Sequence, residues 1–259
     1  MNRKQILLQA LELAQTEVLK FDPNSLIAEV KSTAGDLVSA ADIASQDVIG
    51  TVIRREFPED IIVSEESPES HKVLDPNLLP ELTGWILDPI DGSNNFVKGM
   101  AYSGISIAYV EKGEVVIGGV CDPYRKDIFI AEKDHGATRN GESITVSNVT
   151  DFNPGTRVAT SNSHEGGTVE NLKRYQNLGH VWVDVLGSAV LIMTDVACGR
   201  LDLYHHNGLK PWDNAAAFLI ADEAGAKLTD LQGNPVNWLS SEIVLGNPSL
   251  VDLFIDLSN

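Results

Sequence analysis

Asp88-Pro89-Ile90-Asp91-Gly92-Ser93 sets two carboxylates three residues apart behind the apolar run Trp85-Ile86-Leu87. An apolar strand that ends in an acidic turn bearing Pro and Gly delivers carboxylates to the edge of a sheet. Oxygen ligands of this kind suit a hard divalent cation such as Mg²⁺, and the turn can add the Ile90 carbonyl. Past it, the N–H groups of Gly92 and Ser93 face an anion if Ser93 opens a helix. Metal and phosphate in one segment point to metal-assisted phosphate chemistry. Two more acidic groups stand at the ends of elements. Glu65-Glu66 follows Ile61-Ile62-Val63, and Asp213 lies in Pro211-Trp212-Asp213, where a helix begins and Asp is a favoured N-cap. Taken singly, these are also an ordinary turn, a surface pair and a cap. An EF-hand is excluded, because its ligand ladder and distal Glu are missing after Asp88.

The elements that must position these groups can be read from periodicity. Residues 3–20 place Ile6, Leu7, Ala10, Leu11, Ala14, Val18 and Leu19 on one helical face. Residues 26–39 read as a loop or loose hairpin around Lys31-Ser-Thr-Ala-Gly-Asp36. A second helix runs from Ala40 to Phe57, with Ile43, Val48, Ile49, Val52, Ile53 and Phe57 as its apolar face and Pro58 as its stop. Short strands are expected at 61–63 and 85–87, with a polar loop over 67–83 between them. From Tyr102 the pattern becomes an antiparallel meander through Ile105–Tyr109, Val115–Val120 and Ile128–Ala131. After residue 150, strands at 157–161 and 181–185 alternate with helices at 188–198 and 214–223. A strand at 243–245 and a helix over 249–257 close the chain. An α+β half over residues 1–147 and an α/β half over 148–259 follow.

The whole chain sets limits. Its 259 residues can bury a large core, and 43% hydrophobic with 22% charged residues is a globular composition. No apolar run is long enough for a transmembrane helix, and the N-terminal segment reads as an amphipathic helix rather than a secretion signal. Cys121 and Cys198 lack metal-ligand spacing and read as two buried reduced thiols of a cytoplasmic protein. A formal charge of −18 with no basic patch argues against nucleic acid as substrate. An acidic protein that binds a phosphate ester must reverse its local field, which bound cations would do.

Taken in order, the acidic segments resemble those of the inositol monophosphatase family, magnesium-dependent and lithium-sensitive phosphomonoesterases. One signature is similar to Trp85-Ile-Leu-Asp88-Pro-Ile-Asp91-Gly-Ser93-Asn-Asn-Phe96, the other to Trp212-Asp213-Asn-Ala-Ala-Ala-Phe-Leu-Ile-Ala-Asp-Glu223-Ala-Gly225. Ser64-Glu65-Glu66-Ser67 and the stretch Lys31 to Asp42 occupy the expected places, so the resemblance spans nearly the whole chain. It implies a layered αβαβα sandwich of the inositol monophosphatase and fructose-1,6-bisphosphatase type, and a homodimer. It implies Glu65, Asp88, Asp91, Asp213 and the Ile90 carbonyl as metal ligands. Ser93 stands where Thr is usual and would activate the attacking water, supported by Asp42 and Glu65. Gly92 and Ser93 match the phosphate-binding backbone, Lys31 an active-site loop, and Gly187, Ser188 and Ala189 the stretch near the substrate's alcohol. Two or three Mg²⁺ per site are implied, with Mn²⁺ as a substitute and Li⁺ as an inhibitor. Charge supports several metals: four ligand carboxylates give −4 and a phosphomonoester dianion −2, which three Mg²⁺ neutralise.

The chain departs from that pattern at His206, where Glu is usual and contacts a sugar hydroxyl. His206 reads as a hydroxyl partner, a partner for a second anionic group, or a rim residue. Adjacent His205 and His206 on a strand point to opposite faces, which disfavours a paired histidine metal site. Ala217, Ala226 and Ser64 each stand where Gly is usual. The expected substrate is a small phosphomonoester, myo-inositol 1-phosphate or a related polyol or sugar phosphate, with no nucleic-acid or membrane partner. Fructose 1,6-bisphosphate, NADP, histidinol phosphate and adenosine 3′,5′-bisphosphate are the alternatives within the fold. A regulatory binding protein that retains the fold is the alternative of another class.

Overall fold

A computed structural model of the chain describes residues 1–22, 29–30, 37–67, 81–161 and 168–258. Helix α1 (Arg3–Val18) starts at an Asn2 capping box, and α2 (Ala40–Glu56) at Ser39 and Asp42. Both lie on one face of a seven-stranded sheet. That sheet runs β3 (Ile61–Ser64), β4 (Gly84–Asp91), β5 (Gly104–Glu111), β6 (Glu114–Asp122), β7 (Asp127–Glu132), β8 (Ala137–Arg139) and β9 (Glu142–Ser143) in sequence order. Among the described residues of this sheet β3 and β4 pair in parallel; β5–β7 form the expected antiparallel meander, which extends to β4 on one side and to β8 and β9 on the other. The loose hairpin is present as β1 (Glu29–Val30) paired antiparallel with β2 (Leu37–Val38), while Lys31 falls outside the described residues.

A five-stranded sheet follows, in the order β11 (Trp182–Leu186), β10 (Arg157–Ser161), β12 (Leu203–Asn207), β14 (Glu242–Gly246), β13 (Lys227–Thr229). Between the sheets lie α5 (Ala189–Ala197) and α6 (Pro211–Glu223), and outside the second sheet lie α4 (Thr168–Tyr175) and α7 (Pro248–Ser258). The layering is αβαβα, written into period-two alternation along the strands. Trp85, Leu87, Ile105 and Ile107 pack toward α1 and α2, whereas Ile86, Ala108 and Val110 join the middle layer. In the second sheet Ala159, Tyr204, Ile243 and Leu245 face the middle layer, and Val158, Leu203 and Val244 face α4 and α7. All nine residues of α5 are buried, and seven of them are apolar, as suits a helix enclosed between two sheets.

Several sequence expectations need correction. Strand β4 does not stop at Leu87 but continues to Asp91, so Asp88-Pro-Ile-Asp91 is strand with a register break, not a turn. Pro89 donates no ladder hydrogen bond and sits at that break. The turn comes one residue later, at Gly92, whose φ is 87°. Ile43 is 43% exposed, because α2 rolls to bury Ala41, Asp42, Ser45 and Ile49 instead. Leu19 caps α1 and is exposed. Helix α6 begins at Pro211 rather than Asn214, which puts Asp213 at its third residue and not at the N-cap, Lys210. Helix α4 and strand β13 carried too short a pattern to be expected. Cys121 is buried but Cys198 is half-buried, and both are free.

Candidate metal centre

The parallel β3–β4 pair aligns Ser64 with Leu87, so the residues that follow each, Glu65 and Asp88, emerge at the same sheet end. The Glu65 N–H donates to the Leu87 carbonyl at 3.2 Å and fixes that approach. Asp88 and Asp91 flank the register break of β4, opposite Ser106 and Gly104. The third carboxylate arrives on α6. Small residues allow this: a Cβ on Gly118 would sit 2.7 Å from the Ala216 carbonyl, so α6 lies close against β6. Asp213 at the head of that helix then reaches the end of β4. One oxygen each of Asp88, Asp91 and Asp213 lies within 4.8 Å of the others.

Each carboxylate is held. The Ile90 N–H donates to Asp88 Oδ1 at 3.1 Å, and the Lys210 N–H to Asp213 Oδ2 at 2.8 Å. Asp91 Oδ2 accepts from the Ser188 hydroxyl at 2.5 Å and the Val190 N–H at 2.8 Å, the first turn of α5. Burial pushes Asp91 up to about 7, with the Glu65 charge adding to the shift. Burial, then Asp91 and Glu65, hold Asp213 well above the carboxylate range. Glu65 thus belongs to the cluster electrostatically. Like charges at this spacing, one buried and two half-buried, are unfavourable alone. An all-oxygen anionic donor set whose members repel one another fits a hard divalent cation.

Beside the carboxylates stands a hydroxyl. Helix α3 (Ser93–Val97) opens at Ser93 as the anion-site expectation required. Ser93 Oγ lies 2.8 Å from Asp42 Oδ1 and 2.8 Å from the Ile90 carbonyl. Asp42 is fully buried, and its Oδ2 accepts from the Ser39 N–H at 2.9 Å and the Ser39 hydroxyl at 2.7 Å. Ser45 donates to the Pro89 carbonyl at 2.9 Å and ties α2 to the same strand. Gly92 joins β4 to α3 in the left-handed region, and a Cβ there would meet the Gly187 carbonyl at 2.8 Å.

A sequence model described as "Inositol monophosphatase family" matches residues 3–258. The chain belongs to the inositol monophosphatase family. A "Nus factor SuhB" of Salmonella typhimurium is 34% identical over 239 residues, covering 88% of this chain and 84% of that protein. A "Fructose-1,6-bisphosphatase/inositol-1-monophosphatase" of Thermotoga maritima is 34% identical over 232 residues, covering 89% and 86%. The solved structure of an IMPase from Thermotoga maritima superposes with a TM-score of 0.88 at 30% identity, covering 100% of this chain and 97% of that one. The layered sandwich is therefore the fold of the inositol monophosphatases.

Other site residues take places that the sequence did not define. Gly187 packs on the Asn95 side chain, where a Cβ would approach to 2.6 Å, so Gly187–Ala189 abuts α3 as well as Asp91. His206 is not on a rim: it is 4% exposed and its ring stacks on Tyr204. Burial, then His205, lowers His206 to about 4, so it is neutral near pH 7. His205 turns the other way, against Phe254. Sequence reasoning missed Asp195, a buried member of α5 that gathers Arg125 at 2.9 and 3.0 Å, Arg200 at 3.1 Å and the Tyr102 hydroxyl at 3.0 Å. A charged residue inside the otherwise apolar α5 was the available signal, since such a group must be paired.

Proposed function

We propose that this inositol monophosphatase family member is a Mg²⁺-dependent phosphomonoesterase acting on a small polyol or sugar phosphate. The observation that carries the reading is the convergence of Asp88, Asp91 and Asp213 within 4.8 Å, beside the Ser93–Asp42 hydrogen bond. Glu65, Asp88, Asp91, Asp213 and the Ile90 carbonyl would hold the cations. Bound there, Mg²⁺ supplies charge neutralisation for a phosphate and lowers the pKa of water at the site.

The chain's own groups do the rest. Ser93 has one hydroxyl proton and two acceptors at 2.8 Å. Donated to Asp42, it leaves the Ser93 oxygen with lone pairs that accept from a water on its other side. Asp42 stays fixed because Ser39 occupies its second oxygen. Glu65 is the second carboxylate that orients that water for in-line attack on phosphorus. Ser188 and Val190 keep Asp91 aimed, so the ligand geometry is set before substrate arrives. The Gly92 and Ser93 N–H groups contact the phosphate, and Gly187–Ala189, His206 and Lys31 contact the remainder of the ester. In this reading the half over 1–147 contributes Asp42, Glu65, Asp88 and Asp91, and the half over 148–259 contributes Asp213.

The test is phosphate release from myo-inositol 1-phosphate, fructose 1,6-bisphosphate, NADP, histidinol phosphate and adenosine 3′,5′-bisphosphate, with Mg²⁺ and with EDTA. Release that requires Mg²⁺ and is abolished in Asp213→Asn supports the reading; EDTA-resistant release refutes it. We place the protein in the cytoplasm as a homodimer. Among the described residues no helix is long and apolar enough to cross a membrane. Edge strand β11 exposes Trp182 on one face and Val183 and Val185 on the other, apolar groups along an unpaired edge that suits a second copy. The Nus factor relatives favour a second reading, a binding protein that keeps this fold. It predicts that Asp213→Asn retains full biological function.

A further inference from the structure

Two donors meet on one oxygen of Asp91. Its Oδ2 accepts both the Ser188 hydroxyl at 2.5 Å and the Val190 N–H at 2.8 Å, and the Ala189 N–H bears on the same carboxylate. A carboxylate oxygen has two lone pairs in its plane, so two donors fill it. Asp88 Oδ1 and Asp213 Oδ2 are held by backbone groups, the Ile90 and Lys210 N–H respectively. At Asp91 a side chain joins the backbone on the same atom.

That side chain is committed. Ser188 is wholly buried, so bulk water does not compete for its hydroxyl. Its single proton goes to Asp91, and as the N-cap of α5 its oxygen faces the Leu191 N–H at 3.4 Å. The first turn of α5 is also gripped from two sides. A Cβ on Gly92 would come within 3.2 Å of Ser188 Cβ, and a Cβ on Gly104 within 2.9 Å of the Val190 and Leu191 side chains. The turn after β4 and strand β5 thus seat the two donors against Oδ2. Oδ1 is the oxygen left to a cation.

We propose that Ser188 is a positioning residue that closes Asp91 Oδ2 to cations, so that Asp91 serves a metal through Oδ1 alone and the centre favours Mg²⁺ over Ca²⁺. This rests on the metal-dependent reading of the same site. Ca²⁺ gathers more oxygens than Mg²⁺ and readily takes both of one carboxylate, whereas Mg²⁺ binds through single oxygens and keeps several of its waters. A carboxylate with one oxygen on offer deprives the larger ion of a ligand and deprives Mg²⁺ of none.

The test is calorimetric titration of wild type, Ser188→Ala and Ser188→Thr with Mg²⁺ and, separately, with Ca²⁺, all without substrate. Ser188→Ala frees a lone pair of Oδ2 and should shift the ratio of the two affinities about tenfold toward Ca²⁺, the scale of one charge-assisted hydrogen bond. Ser188→Thr keeps the hydroxyl and should keep the wild-type ratio. A capping role alone would lower the melting temperature of Ser188→Ala and leave the ratio where it was, and an unchanged ratio overturns the proposal. A threonine variant that follows alanine overturns it too. Wild type offers a check that needs no variant. It should bind Mg²⁺ at least as tightly as Ca²⁺, and the reverse order overturns the proposal while leaving the metal centre standing. A wild type that binds neither ion overturns the metal reading and Ser188 with it.

Discussion

Replacing Asp213 by Asn should make the metal-free protein more stable, although it removes a residue at the heart of the site. The carboxylates of Asp88, Asp91 and Asp213 approach within 4.8 Å. At an effective dielectric of about 20, two unit charges at that distance repel by about 3 kcal/mol. Asn keeps an oxygen to accept the Lys210 N–H, now at 2.8 Å, so the start of α6 is preserved. The gain of about 3 kcal/mol corresponds to roughly 6–12 °C for a domain of this size. It should depend on pH. Folding raises Asp213 well above its ordinary value, first by burial and then by Asp91 and Glu65, so folded wild type retains a proton that the unfolded chain releases and that Asp213→Asn does not carry. Stability from this source is complete below the unfolded value and is lost as pH climbs through the raised folded one, in wild type alone. His206 works the other way, losing stability below its ordinary value of 6.5, but it does so in both proteins and cancels. Scanning calorimetry in EDTA should therefore show a gain that is larger at pH 8 than at pH 5. Saturating Mg²⁺ should stabilise wild type alone. A variant that melts at or below wild type at pH 8 in EDTA would show that the carboxylates do not repel, and the metal-site argument would fail.

Three other perturbations test separate parts of the site. Ser93→Ala removes the hydroxyl 2.8 Å from Asp42 and should cut kcat by about 100-fold or more, with KM much less affected, in steady-state phosphate release. Gly92→Ala forces a side chain into a φ of 87° and against the Gly187 carbonyl at 2.8 Å; it should cost about 1–3 kcal/mol in urea unfolding and lose most activity. Asp195→Ala strips the shared acceptor from Arg125, Arg200 and Tyr102, and urea titration should register a loss of about 3–5 kcal/mol.

The parts of this architecture that were legible in the sequence are those in which periodicity and chemistry coincide locally. Helix α1 and the meander β5–β7 could be placed, and the three acidic segments singled out, because a few neighbouring residues carry each signal. The path of β4 could not. Pro89 and Gly92 favour a turn in isolation, but pairing with β5 on either side of the break keeps Asp88–Asp91 in the sheet. Ile43 misled for the opposite reason. Apolar content suggested it faced inward, whereas the buried face of α2 is partly polar because Asp42 and Ser45 bond to Ser93 and the Pro89 carbonyl. The Asp195 cluster draws on positions 122, 125, 127, 195 and 200, and no local pattern joins them. His206 could be flagged as a departure, but its burial is set by the middle layer and not by its neighbours in the chain.

The middle layer also dictates when this centre can come into being. Asp88 and Asp91 are synthesised more than a hundred residues before Asp213, and the first sheet can form while α6 has yet to be made. Contacts of such long separation form late, because the loop must close before anything rewards it. Docking α6 between the sheets is thus both the step that seals the core and the step that forces like charges together. Cations that bind only the finished arrangement draw that step forward by mass action. A chain refolding without them would meet its steepest electrostatic opposition at the end, with nearly all of its apolar surface already buried.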